Sequence, residues 1–429
     1  MSYSTKKMLF ILVSGVSISL GFINFLRLSR DMIYGDFSAV NIIPPVMYRF
    51  LRVPDLPYAK EHNAVNRLAA DYTQIYFPAQ EFSSLKKNYQ TGYLDPWKRP
   101  SRIAPFVHAL CAISICKLDY GYSSFLHMLI QMLLFYPFFF MSFKMLGVES
   151  DRWFGILFTS VCLFATPAGM SWFERGQYSL YVALAYLLVL LGLLKNKPML
   201  VVASALFADL KWTALPFLFV VIFVYWLSAK NTKEQIQNTR TALIYLVVLL
   251  IPSLPFWSTF IEFLEGLYKQ ESYGVPVGVS LIQLLPRAVV KGLPVLLILI
   301  GYLSLRRNGK NLVDLIPFFV GSGILLLTYP TVAYEYNIPN LFCFIPLIAY
   351  WVKQNAVNPA IKYLLFGFVF LASFVVSPYV NTVVILMGYL SVSAVFLVLG
   401  MTRFSGGRRL TDDQVISFAG SSQNAISET

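Results

Sequence analysis

Along this chain, hydrophobic and polar positions alternate on the length scale of a lipid bilayer. Apolar runs approaching the ~20 residues that cross ~30 Å of hydrocarbon as a helix cover 8–26, 123–143, 153–170, 178–194, 199–225, 242–256, 288–305, 312–329, 341–351, 363–376 and 382–401. Counted with 199–225 as a split pair, they predict about 12 transmembrane helices. The roughly ten-residue alternating segments of an outer-membrane barrel are missing, so the expected fold class is an all-α polytopic membrane protein. A single transmembrane domain is expected over 1–402. The stretch 403–429, rich in Ser, Gly, Asp and Asn, is too polar to offset its ordering entropy and is expected to be a disordered cytoplasmic tail.

Between the first run and the second lies a long, mostly polar region, 27–121, broken by one moderately apolar stretch, 103–116. That stretch is read as a helix lying against the membrane. If it crossed, the loop 144–152 would move outside and the later basic loops would invert. Composition supports the membrane class: 57% hydrophobic and 13% charged residues, with a mean hydropathy of +0.64, exceed what the core of a soluble chain of 429 residues requires.

The net charge of +13 does not point to nucleic acid, because the cations sit at the ends of apolar runs, where they report orientation. Lys195/Lys197, Lys230/Lys233/Arg240, Arg306/Arg307/Lys310, Lys353/Lys362 and Arg403/Arg408/Arg409 all fall on one side with Lys6 and Lys7. The first run ends in Asn-Phe-Leu-Arg rather than a small-residue cleavage site, so it is expected to stay attached as a span, with both termini cytoplasmic. On the opposite face this topology gathers the loop carrying Asp71, the turn Glu174-Arg175-Gly176-Gln177, the loop 257–287 and the turn Tyr334-Glu335-Tyr336-Asn337 around one outward-facing cavity. Cys111, Cys116, Cys162 and Cys343 lack metal-ligand spacing and read as buried thiols, with no disulfide framework implied. His62, His108 and His127 are too scattered for a metal site; neither metal nor cofactor is expected.

Several residues could carry chemistry. Asp71 opens the run Asp-Tyr-Thr-Gln-Ile-Tyr-Phe-Pro-Ala, where a carboxylate partly shielded from water could deprotonate a hydroxyl. Tyr72, Tyr76, Phe77 and Pro78 would anchor a short interfacial helix there, and Asp71 could equally be that helix's N-cap. Lys211 lies in an apolar run, beside Asp209 and Trp212, where an ionised side chain is costly. It either pairs with Asp209 or snorkels, or, with Pro216 breaking the helix at the cavity floor, holds a phosphate. Gln177 can bind sugar hydroxyls through its donor and its acceptor, with Glu174 and Arg175 beside it; a helix start with a surface Arg–Glu pair is the plainer alternative. Tyr93, Pro96, Trp97, Lys98, Arg99, Pro100 and Arg102 combine aromatic faces with cations, suiting either carbohydrate and lipid phosphate or an ordinary interfacial anchor.

Taken in order, these pieces resemble the membrane-embedded GT-C glycosyltransferases, and most closely glycosyltransferase family 87, the polyprenol-phosphate-mannose-dependent mannosyltransferase-like group. Asp71-Tyr72 through Tyr76-Phe77-Pro78-Ala79 is similar to the family's Asp and aromatic cluster in the first outer loop. Gly92-Tyr93 and Asp95-Pro96-Trp97 loosely match a later Pro-Tyr-like element. Gly176-Gln177, Lys211 with Pro216, and Val279-Ser280-Leu281 look like elements that follow. The matches span roughly residues 71–340. Two departures stand out. Where many relatives carry His in a late outer loop, this chain has Pro330 and then Tyr334-Glu335-Tyr336-Asn337, which leaves Glu335 or Tyr336 to substitute; and Gly35-Asp36-Phe37 offers Asp36 as a second candidate base.

The resemblance implies a GT-C fold and a hexose donor, mannose-like, carried on polyprenyl phosphate. The acceptor would be a glycolipid or glycan, at the outer face of a bacterial inner membrane. It implies Asp71 as base with inversion, Lys211, Arg175 and Arg99 at the donor phosphate, and Gln177, Glu174, Tyr72, Tyr76, Trp97, Glu335 and Tyr336 at sugar or acceptor. Membrane lipids are the other partners, and no nucleic acid is expected. A lipid or oligosaccharide transporter, or a polymerase or ligase of lipid-linked glycans, would share the spans and intramembrane charges. The transporter should show inverted-repeat hydropathy, and the polymerase essential Arg residues in a large late outer loop; here the largest outer region is early and holds Asp71.

Overall fold

The computed structural model describes residues 3–35, 53–82, 95–307, 311–375 and 380–402. Asp36, Tyr93 and the tail 403–429 lie outside the described residues. The first helix, α1 (Tyr3–Tyr34), runs well past the expected end at 26. Phe25, Leu28 and Met32 extend its buried stripe at helical spacing, and Phe25 packs edge-on against Phe164 and Phe173 with ring centroids 5.5 and 4.8 Å apart.

Among the described residues, three short α-helices and a 3-10 turn come before the next long helix: α2 (Pro57–Glu61), α3 (Thr73–Glu81), α4 (Pro105–Ile113) and the turn Ile115–Lys117. The long helix α5 (Tyr120–Met145) is capped by Asp119, whose carboxylate accepts from Tyr122 N. The expected span 153–170 is instead a pair, α6 (Arg152–Phe164) and α7 (Pro167–Arg175), bent by 65° at Ala165-Thr166. Pro167 cannot donate back into α6, and the Thr166 hydroxyl accepts from Gly169 N to start a new axis. The expected split pair is α9 (Pro198–Asp209) and α10 (Leu215–Leu227), after α8 (Ser179–Leu194).

The region 257–287 was expected to be a loop, yet it is largely helical: α11 (Thr232–Leu250) continues through a 3-10 turn into α12 (Trp257–Tyr273). Phe260 and Phe263 supply a narrow buried stripe that the polar residues between them obscure in sequence. The rest is α13 (Arg287–Arg307), α14 (Ile316–Leu326), a 3-10 stretch Glu335–Cys343, α15 (Phe344–Asn355), α16 (Ala360–Phe374) and α17 (Thr382–Met401).

The chain is therefore nearly all-α, and among the described residues five helices are long and apolar enough to cross a membrane: Ile11–Tyr34, Tyr120–Met145, Thr232–Tyr273, Arg287–Arg307 and Thr382–Met401; the bent pair would make six. α8 is buried from Ser179 through Leu193, as expected of a helix that is apolar all round, and it packs on α5, α9 and the 3-10 stretch Glu335–Cys343.

Polar contacts collect at the two ends of this bundle. At one end Lys362 pairs with Asp151 at 2.6 Å, Lys353 donates to Gly147 O at 2.7 Å, Gln237 reaches Asn196 at 3.1 Å and Lys195 lies 5.0 Å from the Tyr350 ring, so three of the basic loops meet there with the loop 144–152. At the other end the two-residue strands β1 (Val277–Gly278) and β2 (Val332–Ala333) pair in parallel. Glu271 accepts from Thr331 N at 3.0 Å and from its hydroxyl at 2.8 Å, which ties α12 to the Tyr334–Asn337 turn.

Candidate functional site

The site begins with the C-terminal end of α7. A helix leaves its last carbonyls without intrahelical partners, and here the Asp71 segment supplies donors: Ala69 N to Glu174 O at 2.8 Å and Asp71 N to Arg175 O at 3.0 Å. Gly176 closes the helix in the left-handed region, with φ of 66°, and a Cβ there would meet Tyr72 Cβ at 2.9 Å. Glycine thus permits both the turn and the close docking. From the other side the Tyr120 hydroxyl donates to Leu68 O and Ala69 O at 2.9 and 2.6 Å.

So docked, Asp71 does not cap α3. Its Oδ2 accepts from Arg175 Nε at 2.6 Å and from Gln177 Nε2, and its Oδ1 accepts from Arg99 Nη1 at 3.1 Å. Burial by itself would raise the Asp71 pKa; the Arg175 and Arg99 guanidiniums and the hydrogen bonds outweigh it and hold the carboxyl well below the usual carboxylate range.

Lys211 reaches the same place from the break between α9 and α10. Its ammonium donates to Gln177 Oε1 at 2.6 Å and lies 5.6 Å from the ring centres of both Tyr178 and Tyr336. It does not pair with Asp209, whose Oδ1 accepts from Trp212 Nε1 at 3.2 Å. Gln177 is thereby a bridge, its oxygen on Lys211 and its nitrogen on Asp71. Arg175 lies over Tyr334 and Tyr336, with Cζ 5.2 and 5.1 Å from the rings.

Asp71, Arg99, Arg175, Gln177, Lys211 and Tyr336 thus form one cluster. The other candidates stand apart. Tyr72 is fully buried, its hydroxyl 2.7 Å from Ser123 Oγ and its ring stacked on His127 at 4.8 Å. Tyr76 is buried and donates to Leu118 O at 3.0 Å. These two form the wall behind Asp71, because the turn that aims the carboxylate at α7 aims the next ring into the core. Glu174 is fully buried within α7, and Glu335 is buried at the start of the 3-10 stretch Glu335–Cys343. Trp97 is half-buried under Arg99, whose Cζ is 5.0 Å from the ring.

Two features were not expected from sequence. Asp95 accepts from Trp97 N and Arg99 N, both at 2.9 Å, from Thr73 Oγ1 at 3.0 Å and from Arg99 Nε at 2.7 Å, so it sets the posture of Arg99. The signal was present as an Asp-Pro step followed by a cation four residues on, which is an Asx-turn with an ion pair. Second, Cys111 and Cys116 are joined in a disulfide, correcting the reading of four free thiols; Cys162 and Cys343 are free and buried. A single helix over 103–116 would hold residues five apart on different faces. The helix instead stops at Ile113, and Ser114, with φ −125° and ψ −115°, folds the chain back until the two Cα atoms are 5.0 Å apart. Protein-family models, curated proteins and solved structures offer no match to this chain.

Proposed function

We propose that the chain is an inverting glycosyltransferase of the GT-C type, with about 12 crossings if the shorter apolar helices also span. It moves a hexose, mannose-like, from a polyprenyl phosphate to a glycolipid or glycan hydroxyl. The observation that carries the reading is the convergence of Asp71, Arg175, Gln177, Lys211 and Tyr336, from four separate segments, at the end of the bundle away from the basic loops. One carboxylate, one amide and several cations in a half-buried polar cluster suit a reaction that removes a proton and expels a phosphate. The acceptor oxygen attacks the anomeric carbon from the face opposite the phosphate and its proton passes to Asp71. The bond from the anomeric carbon to the phosphate oxygen breaks with its electron pair staying on the phosphate, where the cations stabilise it.

The disulfide at the Asp71 end supports oxidising surroundings for that end and so an outward-facing site; the family resemblance adds a bacterial inner membrane with both termini cytoplasmic. The test is a transfer assay with a panel of polyprenyl-phosphate sugars on pure protein in lipid nanodiscs. The unmodified chain is expected to transfer from one donor with inversion and Asp71→Asn to lose transfer. Full turnover in Asp71→Asn with none in Asp36→Asn would move the base to Asp36, and no transfer from any donor would sink the reading.

A further inference from the structure

Asp71 and Lys211 meet at the side chain of Gln177, so whatever holds Gln177 decides where the other two stand. Gln177 lies at a turn, between the left-handed Gly176 and Tyr178, whose carbonyl opens the ladder of α8 by accepting from Tyr181 N and Val182 N at 3.0 and 3.2 Å. Its own carbonyl therefore stands ahead of that ladder. Gln131, from α5, meets it there: Nε2 donates to Gln177 O at 2.7 Å.

Gln131 is fully buried in an apolar helix, where a primary amide is costly unless its polar atoms find partners. They do. Nε2 also faces His127 Nε2 at 3.2 Å, and Oε1 accepts from Trp172 Nε1 at 3.4 Å. An indole nitrogen only donates, so it fixes which end of the amide is the oxygen and leaves the nitrogen facing Gln177 O. Gln177 N in turn donates to Trp172 O at 3.0 Å, so Trp172 holds the turn by its backbone and the amide by its ring.

We infer that Gln131 is a positioning residue for the candidate site: it pins the main chain of Gln177 to α5 and so aims the side chain that joins Asp71 to Lys211. The pin is needed because the neighbouring residue is a glycine, whose backbone freedom lets the following peptide swing once its carbonyl is released. A swing of that peptide carries the side-chain amide off Asp71 Oδ2. The bond so lost favours the ionised carboxylate, and without it Asp71 binds a proton more readily. The cations in contact with Asp71 are Arg175 and Arg99, and Arg99 is held separately by Asp95. A glutamine that only satisfied the core would leave the titration of Asp71 alone. The pin rests on these hydrogen bonds; its consequence for transfer, a lower kcat, rests on the glycosyltransferase reading.

A double-mutant cycle in the full chain, held in phosphatidylcholine nanodiscs, separates the two roles. The readouts are the melting temperature and the rate at which a water-soluble carbodiimide, which needs the protonated carboxyl, labels Asp71 at one fixed, mildly acidic pH. Gln131→Leu is expected to speed labelling about tenfold, as one pKa unit gives, and to lower the melting temperature because Gln177 O loses its donor. In the Gln177→Leu background the carbonyl remains and the side-chain amide does not. There the same Gln131→Leu change is expected to lower the melting temperature equally and to add no acceleration. Equal acceleration in both backgrounds, or none in the parent, overturns the inference. If Gln131→Leu fails to fold, Gln131→Asn, which keeps an amide but falls one methylene short, carries the same cycle with a smaller acceleration. Transfer is measured apart from this: the expected cycle in a chain that moves no sugar sinks only the glycosyltransferase reading, and unchanged labelling in a chain that does move sugar sinks only the pin.

Discussion

Asp71 and Asp209 are both carboxylates withdrawn from water, and the fold treats them in opposite ways. Asp71, at a loop docked on a helix end, collects two guanidiniums and a primary amide. Asp209, at the end of α9, is fully buried, has an indole N–H on one oxygen and no hydrogen-bond partner on the other among the described residues. The nearest cation in sequence, Lys211, turns away from Asp209 towards the Asp71 cluster. Positive charge is thus concentrated where polar loops meet, and the difference separates a carboxylate kept ionised from one that merely terminates a helix.

The hardest strain on that comparison is Asp71→Asn. Loss of the proton acceptor is expected to lower transfer by roughly a thousandfold, and removing the buried negative charge that Arg175 and Arg99 face is expected to destabilise the fold by about 3 kcal/mol, read as a lower melting temperature. The stability due to ionised Asp71 is complete above the ordinary carboxylate pKa of 3.8 and is lost as pH falls from there towards the depressed value. Lys211→Met comes next: with no carboxylate to leave behind, it should fold normally and weaken donor binding by roughly a hundredfold. Unchanged donor affinity would make Lys211 a structural brace for Gln177.

Smaller effects test what holds the Asp71 side in place. His108 is buried, its Nε2 facing Gln74 O at 3.1 Å and Ser101 Oγ at 3.0 Å, so it fastens the Arg99–Arg102 turn to α3. Burial lowers its pKa from 6.5 to about 4, although the hydrogen bond to Gln74 opposes this. Its contribution to stability is full above pH 6.5 and declines as pH falls towards 4, which amounts to about 2 kcal/mol near pH 5. His108→Gln should flatten that decline; an unaltered slope of melting temperature against pH would remove His108 from the account. Opening the Cys111–Cys116 bridge by Cys111→Ser should cost about 1–2 kcal/mol, the low end for so short a loop. Transfer should change little if the bridge only stiffens the wall behind Tyr72.

How much of this was legible in the sequence depends on the range of the interaction. The apolar helices were readable because burying apolar length is a local property, and Lys211 and Gln177 stood out because a cation or an amide in an apolar run is costly anywhere. The bend at Pro167 was there to be read as a helix-stopping residue. The partners were not readable: Asp71 meets Arg175 and Gln177 across more than a hundred residues, through backbone carbonyls at the end of α7 that no side-chain pattern advertises. That Tyr72 and Tyr76 are buried was hidden for the same reason, since only the docking of the turn decides which side faces the core. The bridge was hidden by the assumption of one continuous helix over 103–116.

Asp209→Asn is the smallest expected effect and the sharpest test of the contrast. The amide keeps the shape and the acceptor for Trp212 Nε1 while removing any ionised form, so if the site needs no charge at Asp209 the variant should be as stable as the parent, within about 0.5 kcal/mol, and as active within about twofold. The same Asp-to-Asn change at Asp71 removes a charge on which Arg175 and Arg99 depend, so identical chemistry gives opposite results at the two positions. A large loss of transfer in Asp209→Asn with the fold intact would mean that the buried oxygen without a partner takes part in the reaction, and the division between a working carboxylate and a structural one would have to be redrawn around the α9–α10 break.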